Sequence, residues 1–216
     1  MKLITAIRGA TFSVKTPLEH ASALLLALAA ALAAIAAPLA IAGAAHASSE
    51  SQSEPFGIRL ANAAFAQRWV PAVYNPAYVK IPYPGGDVPW YTGVCTDVVV
   101  RAYRKLGIDL QVEVNKARVG SGDTNIDHRR VTVLRKFFAK KGQSLSTAKD
   151  PSIYKPGDIV TMYLPDGTFS KTHVAIVTQH KSPDGVPLVV HNRGYGVQLE
   201  DWLFARKITG HYRYGG

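Results

Sequence analysis

The sequence predicts an α+β domain in which helices come first along the chain and an antiparallel sheet comes second. Three segments space their apolar residues at helical intervals: 56–68, 93–106 and 131–142. Three apolar, strand-like segments follow: 157–164, 172–179 and 186–192. Each of the two links between these strands contains a Pro-Asp-Gly turn, which is typical of an antiparallel meander.

The connecting segments complete this prediction. After the first helix, the prolines and tyrosines of 70–93 exclude a regular helix or a central strand and favour an extended run over the surface. The second helix is expected from Gly93 to Leu106, and Gly107 ends it. A long loop rich in Gly and Asp leads to the third helix. A last short strand at 208–214 is expected to close an edge of the sheet.

The N-terminal 47 residues predict a signal peptide. A basic stretch precedes an apolar run over 21–45, and Ala45-His46-Ala47 fits the small-x-small cleavage rule. The alternative is that the apolar run stays as a membrane anchor. We expect cleavage, a disordered lead-in at 48–55, a single domain at 56–216, and a periplasmic or secreted location.

Charge indicates what kind of partner the domain binds. Residues 1–47 hold three of the 25 Lys and Arg residues and one of the 15 Asp and Glu residues, so 22 basic and 14 acidic residues remain, a formal net charge of +8. Such a surface attracts polyanions. For an exported protein, the candidate partners are cell-wall carboxylates, anionic wall polymers and lipid head groups. We expect no nucleic-acid partner, membrane contact only if the signal is uncleaved, and a monomer.

Cys95 is the single cysteine, so it makes no disulfide within the chain. It lies at the start of the second helix, on its apolar stripe. The stripe consists of Cys95, Val98, Val99, Ala102 and Leu106. Free backbone N–H groups and the positive end of the helix dipole favour thiolate over thiol there. The pattern predicts a working thiol, with a small buried apolar residue as the alternative.

Two histidines are predicted to meet beside one end of the sheet. If the hairpin between the second and third strands folds about residue 183, residue 173 faces roughly residue 193. His173 and His191 then lie about 5 Å apart if directly paired, or about 7–8 Å apart if diagonal.

These residue types suit nucleophilic acyl transfer. Cys95 is the predicted nucleophile, His173 the base and acid, and His191 the group that orients it, with Asn192 as a substitute. The oxyanion would be bound by the backbone N–H of Cys95 and a neighbouring N–H. No cofactor or metal is expected. His128 with Asp123 and Asp127 is interpreted as a hydrogen-bonded loop network in preference to a metal site.

Several segments together resemble a bacterial family of exported proteins of unassigned function, which are distant relatives of NlpC-type papain-like cysteine peptidases. They are GVCTDVVVRAYR, NIDHRR, PGDIVTMYL, THVAIVT, LVVHN and ITGHYRY. The resemblance implies a papain-like fold, cleavage of peptidoglycan stem peptides, and the catalytic roles just given for Cys95, His173 and His191. It also implies that Tyr91 borders the substrate cleft.

The sequence departs from the NlpC-type pattern around the nucleophile, where Asp-Cys-Ser-Gly is replaced by Val94-Cys95-Thr96-Asp97. The Asp97 charge opposes thiolate formation and would receive a substrate ammonium group. Arg129 and Arg130 are candidates for binding a stem-peptide carboxylate. Two alternatives to a hydrolase stay open: a non-catalytic wall-binding module on the same fold, and a thiol acyltransferase.

Overall fold

The structure, a computed structural model, describes residues 54–70 and 72–215. The predicted signal segment 1–47 and residues 48–53 of the predicted lead-in lie outside this range. Glu54–Gly216 form one compact unit. None of the helices in the described residues has both the length and the apolar content needed to cross a membrane.

Four α-helices and eight strands make up the described chain. The helices are α1 (Phe56–Phe65), α2 (Cys95–Lys105), α3 (Leu110–Ala117) and α4 (Val131–Lys141). The strands are β1 (Val73–Tyr74), β2 (Thr92–Gly93), β3 (Gln143–Ser144), β4 (Ile159–Tyr163), β5 (Thr172–Lys181), β6 (Pro187–Asn192), β7 (Val197–Glu200) and β8 (Lys207–Arg213). Short 3₁₀ turns cover Ala66–Trp69, Asp127–Arg129 and Pro151–Ile153.

The predicted α+β architecture, with N-terminal helices packed on an antiparallel sheet, is confirmed. Six strands pair in the order β3-β8-β4-β5-β6-β7, and every pairing in this sheet is antiparallel. The terminal strand β8 lies one place in from the edge, because the two-residue β3 pairs outside it. A main core cluster joins the helices to one face of the sheet, and a smaller cluster around Leu203 covers the other face.

Helix α3 was missed in the sequence, where its residues were expected to be loop. Asp109 caps it by accepting a hydrogen bond from the backbone N–H of Gln111. Leu110, Val114 and Ala117 are buried at helical spacing. Both the cap and the spacing are present in the sequence, but the surrounding Gly and Asp residues favoured the interpretation of the whole segment as a loop.

The short strands β1 and β2 were also missed. They pair in parallel, Val73 with Thr92 and Tyr74 with Gly93. The contact is only two residues long and lies within the proline-rich stretch, so neither strand has a readable pattern of its own. The pairing of β1 with β2 brings Tyr74 next to the residues that lead into α2.

Candidate active site

Cys95 is the first residue of α2, and its neighbours fix where that helix begins. Val94 is extended, and its backbone N–H donates to Asp97 Oδ2 at 2.7 Å. The Thr96 hydroxyl donates to the carbonyl oxygen of Arg129 at 2.9 Å. Two side chains of the first turn therefore hold the helix start, and with it the thiol, in one position.

The Cys95 sulfur lies against strand β5. The backbone N–H groups of Val174, Thr96 and Cys95 itself face the sulfur, and each favours the thiolate. Burial acts in the opposite direction and is the larger effect, raising the pKa of Cys95 to about 12, with the Asp97 charge as a smaller contribution. The predicted stabilisation of the thiolate is therefore wrong for the resting structure, because the side chain is only 5% exposed.

His173 and His191 meet as the sequence predicted. Strand register pairs Ile176 with Val190 and Val177 with Val189, which centres the hairpin at residue 183. Residue 191 is thus diagonal to 173. The rings are T-shaped with centroids 5.0 Å apart, and His173 Nε2 lies 2.8 Å from His191 Nδ1.

Glu200, which the sequence analysis did not select, extends this pair. Its Oε2 lies 2.7 Å from His191 Nε2. Arg193 holds the same carboxylate through two hydrogen bonds of 2.9 Å. The alternation of Val197 and Leu199 with Gln198 and Glu200 signals a strand, but nothing in it shows that its last carboxylate reaches a histidine.

Burial keeps both histidines neutral. It lowers the pKa of His173 to about 3, and the neighbouring His191 and Arg193 act in the same direction. Burial also lowers the pKa of His191, against the opposing effect of Glu200. Trp202 covers both rings, at centroid distances of 5.6 Å and 5.1 Å. Within residues 54–70 and 72–215, no hydrogen bond joins the His173 ring to the Cys95 thiol.

Asn192 lies elsewhere, because adjacent residues of a strand point to opposite faces. Its side-chain amide donates to the carbonyl oxygen of Gly93 at 3.3 Å, and its Oδ1 accepts from Gly194 N–H at 3.1 Å. Asn192 therefore ties β6 to the segment before α2. His191, and not Asn192, contacts the His173 ring.

Asp97 and Arg129 bind each other, which replaces the two separate substrate-binding roles predicted for them. The guanidinium donates from Nε to Asp97 Oδ1 at 2.8 Å and from Nη2 to Oδ2 at 3.0 Å. Both side chains are only 3% exposed. Neither charged group is free for a substrate ammonium or carboxylate. Arg130, in contrast, is exposed, and its guanidinium makes no hydrogen bond or ion pair within the part of the chain that the structure describes.

Two cavities open beside the predicted catalytic residues. One, of about 420 Å³, is lined by Cys95 and Arg130, and the other, of about 200 Å³, by His173 and Trp202. Both are also bounded by Tyr74 and Phe169, whose rings stack with centroids 5.4 Å apart and planes 25° apart. This aromatic bridge, the stacked pair Tyr74 and Phe169, is therefore shared by the thiol side and the histidine side of the cleft.

Tyr91 does not border these cavities. Its ring is half-exposed and packs edge-on against Trp90, 5.6 Å between centroids, and it lines neither the Cys95 nor the His173 cavity. The tyrosine that lines both cavities is Tyr74. The parallel pairing of β1 with β2 places it there, and that pairing is what the sequence analysis missed.

The loop before α4 forms a hydrogen-bonded network. Asp127 accepts from the Ser121 hydroxyl at 2.9 Å and from Gly122 N–H at 2.8 Å. Asp123 accepts from Asn125. His128 is buried, which lowers its pKa to about 4. In the described residues, no group of three or more His, Cys, Asp or Glu side chains is arranged to hold a metal ion.

Comparison with known proteins gives a family, a relative and similar solved structures. Residues 61–214 match the family model described as Domain of unknown function (DUF1287), which agrees with the predicted resemblance to a family of unassigned function. The chain is 44% identical over 153 residues to the uncharacterized protein YijF of Escherichia coli K12, covering 65% of this chain and 73% of the relative.

Two of the similar solved structures are NlpC2 and NlpC1 of Trichomonas vaginalis. They are 20% and 18% identical to this chain, with TM-scores of 0.46 and 0.43. They cover 76% and 75% of it, and the chain spans about half the length of each, 49% and 46%.

Proposed function

We propose that the chain, which belongs to the DUF1287 family, is an exported cysteine hydrolase that cleaves an amide bond in the stem peptide of peptidoglycan. The observation that carries the proposal is a series of hydrogen-bonded groups that ends on strand β5, the strand against which the Cys95 sulfur lies. It runs from Glu200 through His191 to His173, and the next residue along β5, Val174, presents its N–H to the Cys95 sulfur.

In the proposed reaction, His173 acts as a general base at the moment of attack. With a Cys95 pKa of about 12 and a His173 pKa of about 3, the resting pair is a neutral thiol and a neutral imidazole. As the sulfur bonds to the substrate carbonyl carbon, its proton moves to His173. The same proton then goes to the departing amine, and an acyl-enzyme remains. Water, deprotonated by His173, hydrolyses the thioester and restores the thiol.

Backbone N–H groups that already face the Cys95 sulfur are suited to stabilise the negative charge that develops during the proposed attack. The N–H groups of Cys95 and Thr96 face it at the first turn of α2. An oxyanion formed on the attacked carbonyl would be bound there by the same donors and by the positive end of the helix dipole. These donors are fixed before the substrate arrives, because Asp97 and Thr96 hold the helix start.

The proposed substrate rests on charge and on the shape of the thiol-side cavity. Arg130 presents an exposed guanidinium at the 420 Å³ cavity, and a guanidinium binds a carboxylate through paired donors. Stem peptides carry carboxylates, and the predicted mature chain has a formal charge of +8. A periplasmic or secreted location, with peptidoglycan as partner, follows from the same proposal.

The test is to incubate purified sacculi with the protein and with its Cys95→Ala variant, and to identify released fragments by mass spectrometry. Fragments that disappear in the variant are expected, and their masses name the bond. An Arg130→Met variant serves as a matched control at the same cavity, with an expected rise in KM at unchanged kcat. Release of the same fragments by Cys95→Ala would refute the proposal.

A second candidate is a non-catalytic wall-binding module, and one observation favours it. The thiol is buried, its pKa is raised, and it has no hydrogen bond to His173 within the described residues. This candidate predicts that the protein sediments with sacculi, that Cys95→Ala binds equally well, and that no fragments appear. It also predicts that sacculi leave the alkylation rate of Cys95 unchanged, whereas the hydrolase predicts a change in that rate on substrate binding.

A further inference from the structure

Glu200 is the last group in the hydrogen-bonded series that runs from His173 through His191, and it also binds Arg193. It lies on β7, two residues beyond Gln198, which is the register partner of His191. Residues two apart on a strand share a face, so the Glu200 side chain reaches back to the imidazole. Arg193 binds both carboxylate oxygens and lowers the pKa of Glu200, so that it stays ionised.

An ionised carboxylate accepts hydrogen bonds and donates none. The 2.7 Å contact between Glu200 Oε2 and His191 Nε2 therefore requires a proton on that nitrogen. A neutral imidazole has one ring proton, which leaves His191 Nδ1 as an acceptor. The 2.8 Å contact with His173 Nε2 then requires a proton on the His173 nitrogen.

The protonation state of His173 Nδ1 follows in the same way. With its single proton on Nε2, neutral His173 has an unprotonated Nδ1. We propose that Glu200 is a positioning residue that sets the tautomers of both histidines, so that His173 Nδ1 is the nitrogen that receives the Cys95 proton. This inference rests on the proposed function, since it assigns a base for the same thiol.

The opposite tautomers would stop the reaction. Without the carboxylate, His191 could carry its proton on Nδ1 and donate it to His173 Nε2, which would leave the His173 proton on Nδ1. That nitrogen could not then accept from the thiol. Glu200 also favours the imidazolium that forms when His173 takes the proton, because its charge raises the pKa of His173 against the effect of burial. General-base assistance of this kind is worth about 10²–10⁴-fold in rate.

The test reads the tautomers directly, by ¹⁵N NMR of the histidine ring nitrogens in the purified protein at pH 7. The wild type is expected to carry protons on Nε2 of both His173 and His191. Glu200→Gln, which keeps the shape and can either accept or donate, is expected to give mixed tautomers. Glu200→Leu removes the acceptor, and Gln198→Ala on the same strand is the matched control, with wild-type tautomers.

Activity on sacculi supplies the second readout. Glu200→Leu is expected to lower kcat by roughly 10²-fold with KM unchanged, and Gln198→Ala to leave both unchanged. A proton on Nδ1 of His173 in the wild type, or wild-type tautomers in Glu200→Leu, would overturn the assignment. If wild-type protein released no fragments, the proposed function would fail, and the tautomer result would still decide whether Glu200 positions the two rings.

Discussion

Removing Arg129 is expected to leave a buried carboxylate without its countercharge. In the structure, Asp97 accepts two hydrogen bonds from this guanidinium, at 2.8 Å and 3.0 Å, and both side chains are 3% exposed. Breaking such a buried pair from one side costs about 3–5 kcal/mol. Asp97 would keep the hydrogen bond from Val94 N–H and a favourable place at the N-terminus of α2, so the lower value of about 3 kcal/mol applies to Arg129→Met.

The assay is thermal and urea unfolding followed by circular dichroism. For a domain of this size, about 3 kcal/mol corresponds to a fall in Tm of roughly 6–12 °C. Arg130→Met is the matched control, because the adjacent guanidinium is exposed and has no ion pair in the described residues. It is expected to change the free energy of unfolding by less than about 0.5 kcal/mol.

A double-mutant cycle with Asp97→Asn separates the pair from other effects of the substitution. Removing both charges is expected to cost less than the sum of the two single changes, with a coupling of about 2 kcal/mol. If Arg129→Met destabilised the protein no more than Arg130→Met does, or if the cycle showed no coupling, the reasoning that this pair is buried and structural would be wrong.

Two further predictions concern pH and access to the thiol. His128 has a pKa of about 4 in the folded protein against 6.5 unfolded, so between these values the unfolded state binds more protons. The free energy of unfolding should therefore fall as the pH drops from 6.5 to 4, by up to ~1.4 kcal/mol per pH unit from this group. In His128→Leu, the free energy of unfolding measured by urea titration should depend on pH less steeply by that amount. An unchanged pH dependence would contradict this prediction. Phe169→Ala removes one ring of the aromatic bridge, so iodoacetamide should alkylate Cys95 severalfold faster at pH 8 than in wild type. The control is Tyr195→Ala, whose ring is 80% exposed and does not line the Cys95 cavity, and it should leave the rate unchanged.

The sequence predicted those parts of the site that depend on local periodicity. Helical spacing placed Cys95 at the start of a helix. The symmetry of one hairpin about residue 183 brought His173 beside His191, and the observed register has the same centre. In both cases the residues lie close together in the chain, where 3.6-residue and two-residue periods restrict the geometry strongly.

The rest depends on contacts that no local pattern encodes. Asp97 and Arg129 are 32 residues apart, and each alone resembles a surface charge. Tyr74 reaches the cleft through a two-residue parallel pairing. Glu200 lies on a strand whose pairing with β6 had to be known before its contact with His191 could be inferred. Partners of this kind are selected by the tertiary fold, so a single sequence gives their residue types and not their pairing.

The prediction for the thiol was wrong for a related reason. The sequence correctly placed Cys95 among N–H groups that favour the thiolate, but it could not give the burial that opposes them. The N–H groups belong to the fixed start of α2 and to β5, and Cys95 lines a cavity that Tyr74 and Phe169 also bound. A ligand that enters the cleft and places a carbonyl at these N–H groups gives the developing negative charge the same donors. Under the proposed function, the resting protein keeps its single cysteine as an unreactive thiol, and the backbone N–H groups proposed to bind the oxyanion already face the sulfur.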